Sequence, residues 1–397
     1  MEELRKYLIF AIVVLTGMTF ALTAFAADYH IGIMTPTVSQ AEDDYRGAEA
    51  VVKKYGDVDK GGIIRHITCP DQFSTEIETT ITQLVGLADD PKMKAIIVVE
   101  AVPGVTEAFR RIKEMRPDIL RVVASPHEDP AMVASVSDVV VDIDRINWGW
   151  RIMAAVKKMG ADTFVHISFP RHMSMELLAR RAAVFREAAK QMGLKFYLET
   201  APDPLSEVGV AGTQQFLLEK VPAWIEKYGQ KTAFITTNSA HHEPLIKRIV
   251  SHGGIYAYGD GPSPIRGFPG ALNVDLSQEK GDWPAMLAKV EKAAVEAGAS
   301  GRLGTWRISL MYTEAPALTD HVIRVLEGKA KIADTDAILE IYKEHTKVEM
   351  FGDPYIDAAT GMKVKNMMLL SQEPYVFGVG PLDMSDVVIP DNINEIR

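Results

Sequence analysis

The sequence predicts an α/β protein built as two similar, doubly wound parallel-sheet lobes joined by a hinge, and three observations carry that prediction. Short β-branched or apolar runs alternate with amphipathic stretches of helical period, the pattern of parallel strands covered by helices on both faces. The series reaches five strands, passes through Asp144-Arg145-Ile146-Asn147, and begins again with the same rhythm. The roughly 370 residues that follow an N-terminal leader exceed what one hydrophobic core usually organises.

The leader is residues 1–26. Arg5 and Lys6 precede an apolar run from Tyr7 to Phe25, and Ala24-Phe25-Ala26 supplies a small-residue cleavage box, which reads as a secretory signal. Thr16, Gly17, Thr19 and Thr23 interrupt the run and Asp28 follows it, favouring cleavage over a retained anchor.

The first series then places a strand at Tyr29 to Met34, a loop at Thr35 to Gln40 and a helix at Ala41 to Tyr55. Strand Gly62 to Thr68 leads to helix Ser74 to Ala88, and strand Lys94 to Glu100 to helix Val105 to Met115. Strands Leu120 to Ala124 and Asp138 to Asp142 complete the set. The second series runs through helix Trp148 to Met159, strand Thr163 to Phe169, helix Met175 to Met192, strand Lys195 to Thr200, helix Gly212 to Tyr228, strand Thr232 to Thr237, helix His242 to His252 and strand Gly254 to Tyr258. Beyond it lie a Gly/Pro-rich turn to Gly270, a strand Ala271 to Leu276, helices Trp283 to Ala297, Ala317 to Glu327 and Thr335 to His345, and a hairpin Met350 to Leu370 turning at Ala359-Thr360-Gly361. Residues 28–145 and 262–345 are expected to form the first lobe, and 146–261 and 346–397 the second.

Composition narrows the function. The net charge of −10 comes from interspersed acids and bases, which argues against a nucleic-acid or anionic-membrane surface. Cys69 is the single cysteine, so no intramolecular disulfide forms, and none stands at the end of the leader to carry a lipid. A periplasmic monomer free of the membrane is expected, with no cofactor.

Tyr29-His30-Ile31-Gly32-Ile33-Met34 followed by Thr35-Pro36 and Tyr45-Arg46-Gly47-Ala48-Glu49-Ala50 resembles the opening of type I periplasmic binding proteins. Asp71-Gln72-Phe73 resembles the family's second strand-helix turn, Asp142 to Trp150 its first crossover between lobes, and Tyr256 to Gly261 the strand end before its second. The basic membrane lipoprotein and nucleoside-binding branch, or a family beside it, is the nearest in pattern; the tail beyond Ala330 has no counterpart there. The resemblance implies a solute-binding protein serving an ABC permease, with a ligand sensor for a membrane receptor as the alternative.

In open α/β sheets ligands sit beyond the carboxyl ends of the strands. In the first lobe those positions are Thr35, Thr37, Ser39, Gln40, Asp44 and Tyr45, then Glu100, Ser125 and His127. The linker adds Asn147 and Trp148, and the second lobe Arg171, His172, Thr200, Asn238, Tyr258 and Asp260. Tyr45, Trp148 and Tyr258 could stack on a flat face while the polar groups read hydroxyls or ring nitrogens, which suits a nucleoside-like or sugar-like ligand. Trp148→Ala or Arg171→Ala is then expected to weaken binding at least tenfold, or by about 1.4 kcal/mol or more, without lowering the melting temperature much. Plain structural roles stand beside these. Asp44 sits in a first helical turn, where the dipole favours a carboxylate anyway, and Tyr45 equally suits an extension of an apolar helix face.

Catalytic marks are scarce. The sequence contains no Gly-x-Ser-x-Gly elbow, no Gly-rich phosphate loop and no His-Glu-x-x-His helix. His241-His242-Glu243 cannot converge on a metal, because neighbouring helix positions point about 100° apart. A periplasmic hydrolase using Glu100, His127 and His172 as an acid-base set is the enzymatic rival.

Overall fold

The computed structural model describes residues 28–396, so the expected leader lies outside the described residues. β1 (His30–Thr35), α1 (Glu42–Tyr55), β2 (Ile64–Thr68), α2 (Ile77–Leu87), β3 (Met93–Val99), α3 (Val105–Met115), β4 (Leu120–Ala124), α4 (Pro130–Val136) and β5 (Val139–Ile143) form the first α/β series. Its strands are parallel in the order β2-β1-β3-β4-β5. β3 is buried on both faces, as its run of apolar residues requires, while α3 buries Val105, Ala108, Phe109 and Ile112 at helical spacing.

The second series holds α5 (Asn147–Lys158), β6 (Thr163–Ser168), α6 (Glu176–Met192), β7 (Lys195–Thr200), α7 (Gly209–Tyr228), β8 (Thr232–Thr236), α8 (His242–His252) and β9 (Ile255–Tyr256). Its parallel order is β7-β6-β8-β9, the same winding as β2-β1-β3-β4. Strand order therefore reverses at two equivalent places, between β1 and β3 and between β6 and β8.

After β9 the structure divides the chain differently from the sequence expectation. Tyr256 to Gly261 does follow the end of β9, but no crossover comes after it. The chain returns to the second lobe, where Phe268, Ala271 and then Val290 and Ala294 of α9 (Trp283–Glu296) enter the second core. The expected strand at 271–276 is absent: Pro269 starts a helical turn, Phe268–Leu272, that ends with Asn273 in the left-handed region. β10 (Gly304–Thr305) precedes the true second crossing, and α10 (Leu310–Leu326) and α11 (Thr335–Thr346) belong to the first lobe.

α10 starts seven residues before the expected Ala317, because Pro316 lies inside it. Proline has no N–H for the carbonyl of Tyr312 one turn earlier. The backbone of α1 packs against that carbonyl, and a Cβ at Gly47 would lie 2.3 Å from its oxygen, so this close approach of the two helices requires glycine.

The hairpin β11 (Met350–Ile356) and β12 (Lys363–Gln372) forms as expected but joins the first sheet rather than the second lobe. β12 runs parallel beside β5, where its buried stretch Met367 to Leu370 is covered on both faces. The chain then crosses back. β13 (Tyr375–Val376) pairs with β10 and with β14 (Gly380–Pro381), and Phe377 is buried in the second core.

The chain thus passes between lobes at 144–147, 305–309 and 372–375. The passages are laced together: Asp144 N donates to Leu370 O at 2.8 Å, and Gln372 Nε2 to Ile308 O at 2.9 Å. Trp148, beside the first passage, packs on Trp306 of the second with ring centroids 5.1 Å apart and on Tyr258 at 5.4 Å. All three rings are fully buried, so Trp148 and Tyr258 are core at the crossing rather than exposed stacking surfaces. Removing the Trp148 side chain leaves a cavity at the junction. Trp148→Ala should lower stability by about 3–5 kcal/mol, read as a reduced urea midpoint, in contrast to the small effect that its sequence position suggested.

Candidate functional site

The loops that follow the strands at both reversal points face one another across a cavity of about 290 Å³. Nine of the residues singled out from sequence line it: Ser39, Gln40, Glu100, Ser125 and His127 from the first lobe, and Arg171, His172, Asn238 and Asp260 from the second. β1 and β3 deliver the loop 36–41 and Glu100, while β6 and β8 deliver Arg171-His172 and Asn238.

The other eight stand elsewhere. Thr35 is buried, with its hydroxyl donating to Pro36 O at 2.8 Å and 2.9 Å from His66 Nε2. Thr37 is hydrogen-bonded to Ser39 and Asp71, and Tyr45 packs on His66 with centroids 5.1 Å apart. Asp44 is fully buried behind the cavity wall. Asn147 opens α5 and Thr200 ends the exposed edge strand β7. Trp148 and Tyr258 fill the crossing. The three aromatics expected to stack on a ligand are therefore withdrawn, and Phe73 and two imidazoles are the rings that line the cavity.

The floor is a chain of buried charges. Arg145 Nη1 donates to Asp142 at 2.5 Å and its Nε lies 3.5 Å from Asp260, which accepts from Arg181 at 2.6 Å. Burial alone would raise the Asp260 carboxyl, but Arg145 and Arg181 outweigh it and hold it well below the usual carboxylate range. On the second-lobe wall Arg171 forks onto Asp203 at 2.7 and 2.9 Å. His172 lies 3.2 Å from Thr237 Oγ1, and burial, then Arg171, pushes it down to about 3, so it is neutral.

On the first-lobe wall Asp43 accepts from Ser309 at 2.5 Å, and Ser125 donates to Glu314 at 2.7 Å. Burial pushes Asp44 and Glu314 well above the usual range, with Glu100 and Asp44 respectively adding to it. Arg266 reaches from the second lobe to within 3.5 Å of Asp43 and 3.8 Å of Asp44. It lines the cavity and was not singled out from sequence, although its setting, Gly-Pro-Ser-Pro-Ile-Arg-Gly after a strand, marks a functional loop.

Glu100, Ser125 and Tyr258 adopt the left-handed region at φ 52°, 47° and 65°. Each such residue costs of order 1–3 kcal/mol, and two of the three sit at the ends of β3 and β4 in the cavity wall. Cys69 is buried, and burial pushes its thiol up to about 12. His241 is enclosed between Thr213 and Thr236, at 2.9 and 2.8 Å. Among the described residues, no helix is long and apolar enough to cross a membrane.

Comparison with known proteins agrees with this architecture. The sequence profile of a family described as a protein of unknown function, DUF3798, matches residues 29–304, and a second family profile matches residues 315–396. An uncharacterised protein of Treponema pallidum (strain Nichols) is 39% identical over 220 residues, spanning 55% of this chain and 100% of that protein. Another from the same organism is 41% identical over 184 residues, spanning 46% and 83%. A crystal structure from Clostridium difficile 630, described as a candidate transcriptional regulator, superposes with a TM-score of 0.72 at 21% identity, over 88% of this chain and 99% of that one. An ABC transporter solute-binding protein from Agrobacterium vitis with bound allitol gives 0.51 at 13% identity, over 87% and 95%. One from Clostridium phytofermentas with bound L-rhamnose gives 0.51 at 10%, over 93% and 98%. The fold is that of the type I periplasmic binding proteins.

The crossing carries a titratable group of its own. Asp144 Oδ1 accepts from Ile146 N at 3.0 Å and Asn147 N at 2.9 Å. Burial, then the nearby Asp353, raises its carboxyl to about 7. A carboxyl raised in the folded state binds its proton more tightly than in the unfolded chain, where its value is about 3.9. The stability this proton contributes is therefore present at low pH and is lost as pH rises from about 4 to about 7. Asp144→Asn keeps the oxygen that caps α5 and removes the titration. Urea midpoints at pH 5 and pH 8 should show the variant gaining relative to the parent at pH 8.

Proposed function

We propose that this chain, which belongs to the family described as a protein of unknown function, DUF3798, is an exported solute-binding protein. It captures a small polar solute between its lobes and delivers it to an ABC permease. The observation that carries this reading is the cavity itself. It is walled by the strand ends of both sheets, floored by buried ion pairs, and bounded by the three passages about which the lobes could close.

The groups around the cavity suit binding. His172 is neutral and held by Thr237, and Arg171 is tied to Asp203. Ser125 donates to a carboxyl rather than to a base that could activate it, so it does not resemble a prepared nucleophile. Carboxylates and amides can accept and donate to hydroxyl or amine groups of a sugar-like or nucleoside-like solute, with Phe73 as the apolar contact. Closure around the solute would be driven by contacts present only when both walls touch it. The leader at residues 1–26 would send the protein to the periplasm, where it acts as a monomer.

A thermal-shift screen of the leaderless protein against sugars, polyols, nucleosides, amino acids and amines tests the reading. A ligand present at one hundred times its Kd adds about 2.7 kcal/mol to stability, so a binding class should raise the melting temperature by several degrees. Arg171→Ala should weaken that ligand about tenfold, or 1.4 kcal/mol. A melting temperature unmoved by every class would count against solute capture. Mass spectrometry of protein recovered from the periplasm should give an N-terminus near Ala27.

A further inference from the structure

The two walls of the cavity differ in their charged groups, and the difference bears on the charge of the solute. Both walls carry apolar side chains, Leu177, Leu178, Leu205 and Val210 on the second lobe and Phe73 and Met311 on the first. The first-lobe wall presents carboxylates, and the cations within reach are already engaged. Arg171 is held by Asp203 and Arg181 by Asp260; Arg145 serves Asp142 and Asp260; Arg266 lies against Asp43.

After this pairing Glu100 and Asp142 keep accepting capacity on the first-lobe wall. Glu100, held at the end of β3 in the left-handed region, has an imidazole nitrogen of His127 at 3.4 Å as its ion-pair neighbour. Asp142 gives one oxygen to Arg145 and the Ile143 N–H. Its other oxygen, Oδ2, is buried on the cavity wall with no hydrogen-bond partner among the described residues, although the side chain is fully enclosed. A buried carboxylate oxygen without a donor is costly, and burial accordingly raises Asp142.

A neutral hydroxyl offers one proton and no charge. A protonated amine offers three protons and a positive charge that attracts the carboxylate directly, an attraction that is stronger beside a buried wall than in bulk water. We propose that the solute carries a protonated nitrogen, seated against Glu100 on the first-lobe wall, with a second donor group reaching Asp142 and an apolar or ring portion facing the second lobe. β3 and β5 are separated by β4, so Glu100 and Asp142 project from strand ends about 10 Å apart, which fits a small amino compound with donors at two positions. This inference rests on the solute-binding reading of the same cavity and narrows it to small organic cations.

Matched probes test it. The leaderless protein is titrated calorimetrically with glucosamine, glucose and N-acetylglucosamine, and with putrescine and 1,4-butanediol. At least one amine should bind at least tenfold more tightly than its neutral counterpart, and Glu100→Gln should reduce that affinity at least tenfold. Circular dichroism and melting of the unliganded variant verify that it folds, and Asp142→Asn provides a second variant should Glu100→Gln fail to. Neutral probes that match or exceed their amines would overturn the cationic inference and leave solute capture standing. Amine affinity left unchanged by both carboxyl variants would overturn it in the same way. Silence from every amine and every neutral probe would count against both.

Discussion

Everything in this protein hangs from the place where three chain passages meet. Trp148 and Trp306 bring one ring each from the first and second passages, Tyr258 adds a third buried ring at the crossing, and the Asp144 N–H to Leu370 O bond and the Gln372 side-chain amide donating to Ile308 O tie in the third. A Cβ at Gly304 would lie 2.7 Å from the Tyr258 ring, so the second passage can approach only as glycine. The first-lobe core runs through this junction without a break, taking in Phe164, Val184 and Phe185 of the second lobe. Such packing fixes how the two lobes meet beneath the cavity.

That arrangement explains where conformational energy is spent. Left-handed backbone appears at Glu100 and Ser125 in the wall and at Tyr258 beside the junction; the other non-glycine cases, Asn273 and Lys347, end helices, where the conformation is ordinary. Residues in that region persist only where their surroundings over-determine them. Here the surroundings are strands buried on both faces and a junction of large rings, so the cost is met by the scaffold that aims these side chains.

The alternation of strand and helix was legible because a sheet buried on both faces needs continuous apolar strands, and the restart after Asp144 was legible because the rhythm repeats. Loop positions after strands identified nine cavity residues for the same reason: winding order alone sends those loops to one face. Aromatic residues near the crossing were ambiguous, since Trp148 and Tyr258 have the same composition whether they cover a ligand or fill a core. Pro316 concealed the first two turns of α10, because a proline inside a helical pattern reads as a helix boundary. Arg266 was hidden in a loop without periodicity, and the hairpin's choice of sheet depends on the open edge of β5, which no local pattern records.

Ion-pair distances around the cavity separate what is rigid from what can part. Pairs within the second lobe are short, with Arg181 to Asp260 at 2.6 Å and Arg171 to Asp203 at 2.7 and 2.9 Å. Arg266, which faces Asp43 and Asp44 of the first lobe, stands at 3.5 and 3.8 Å, within charge attraction but beyond the usual hydrogen-bond range. Arg180, by contrast, crosses from α6 to β11 and donates to Ile356 O at 3.0 Å, a neutral acceptor. Breaking a buried, hydrogen-bonded ion pair is expensive because each charge is left uncompensated. A contact held by attraction alone, beside a cavity that water or a ligand's polar groups can enter, can be exchanged at lower cost. The strongest pairs therefore lie inside a lobe, where they shape one wall, and the looser charge contact of Arg266 lies across the opening.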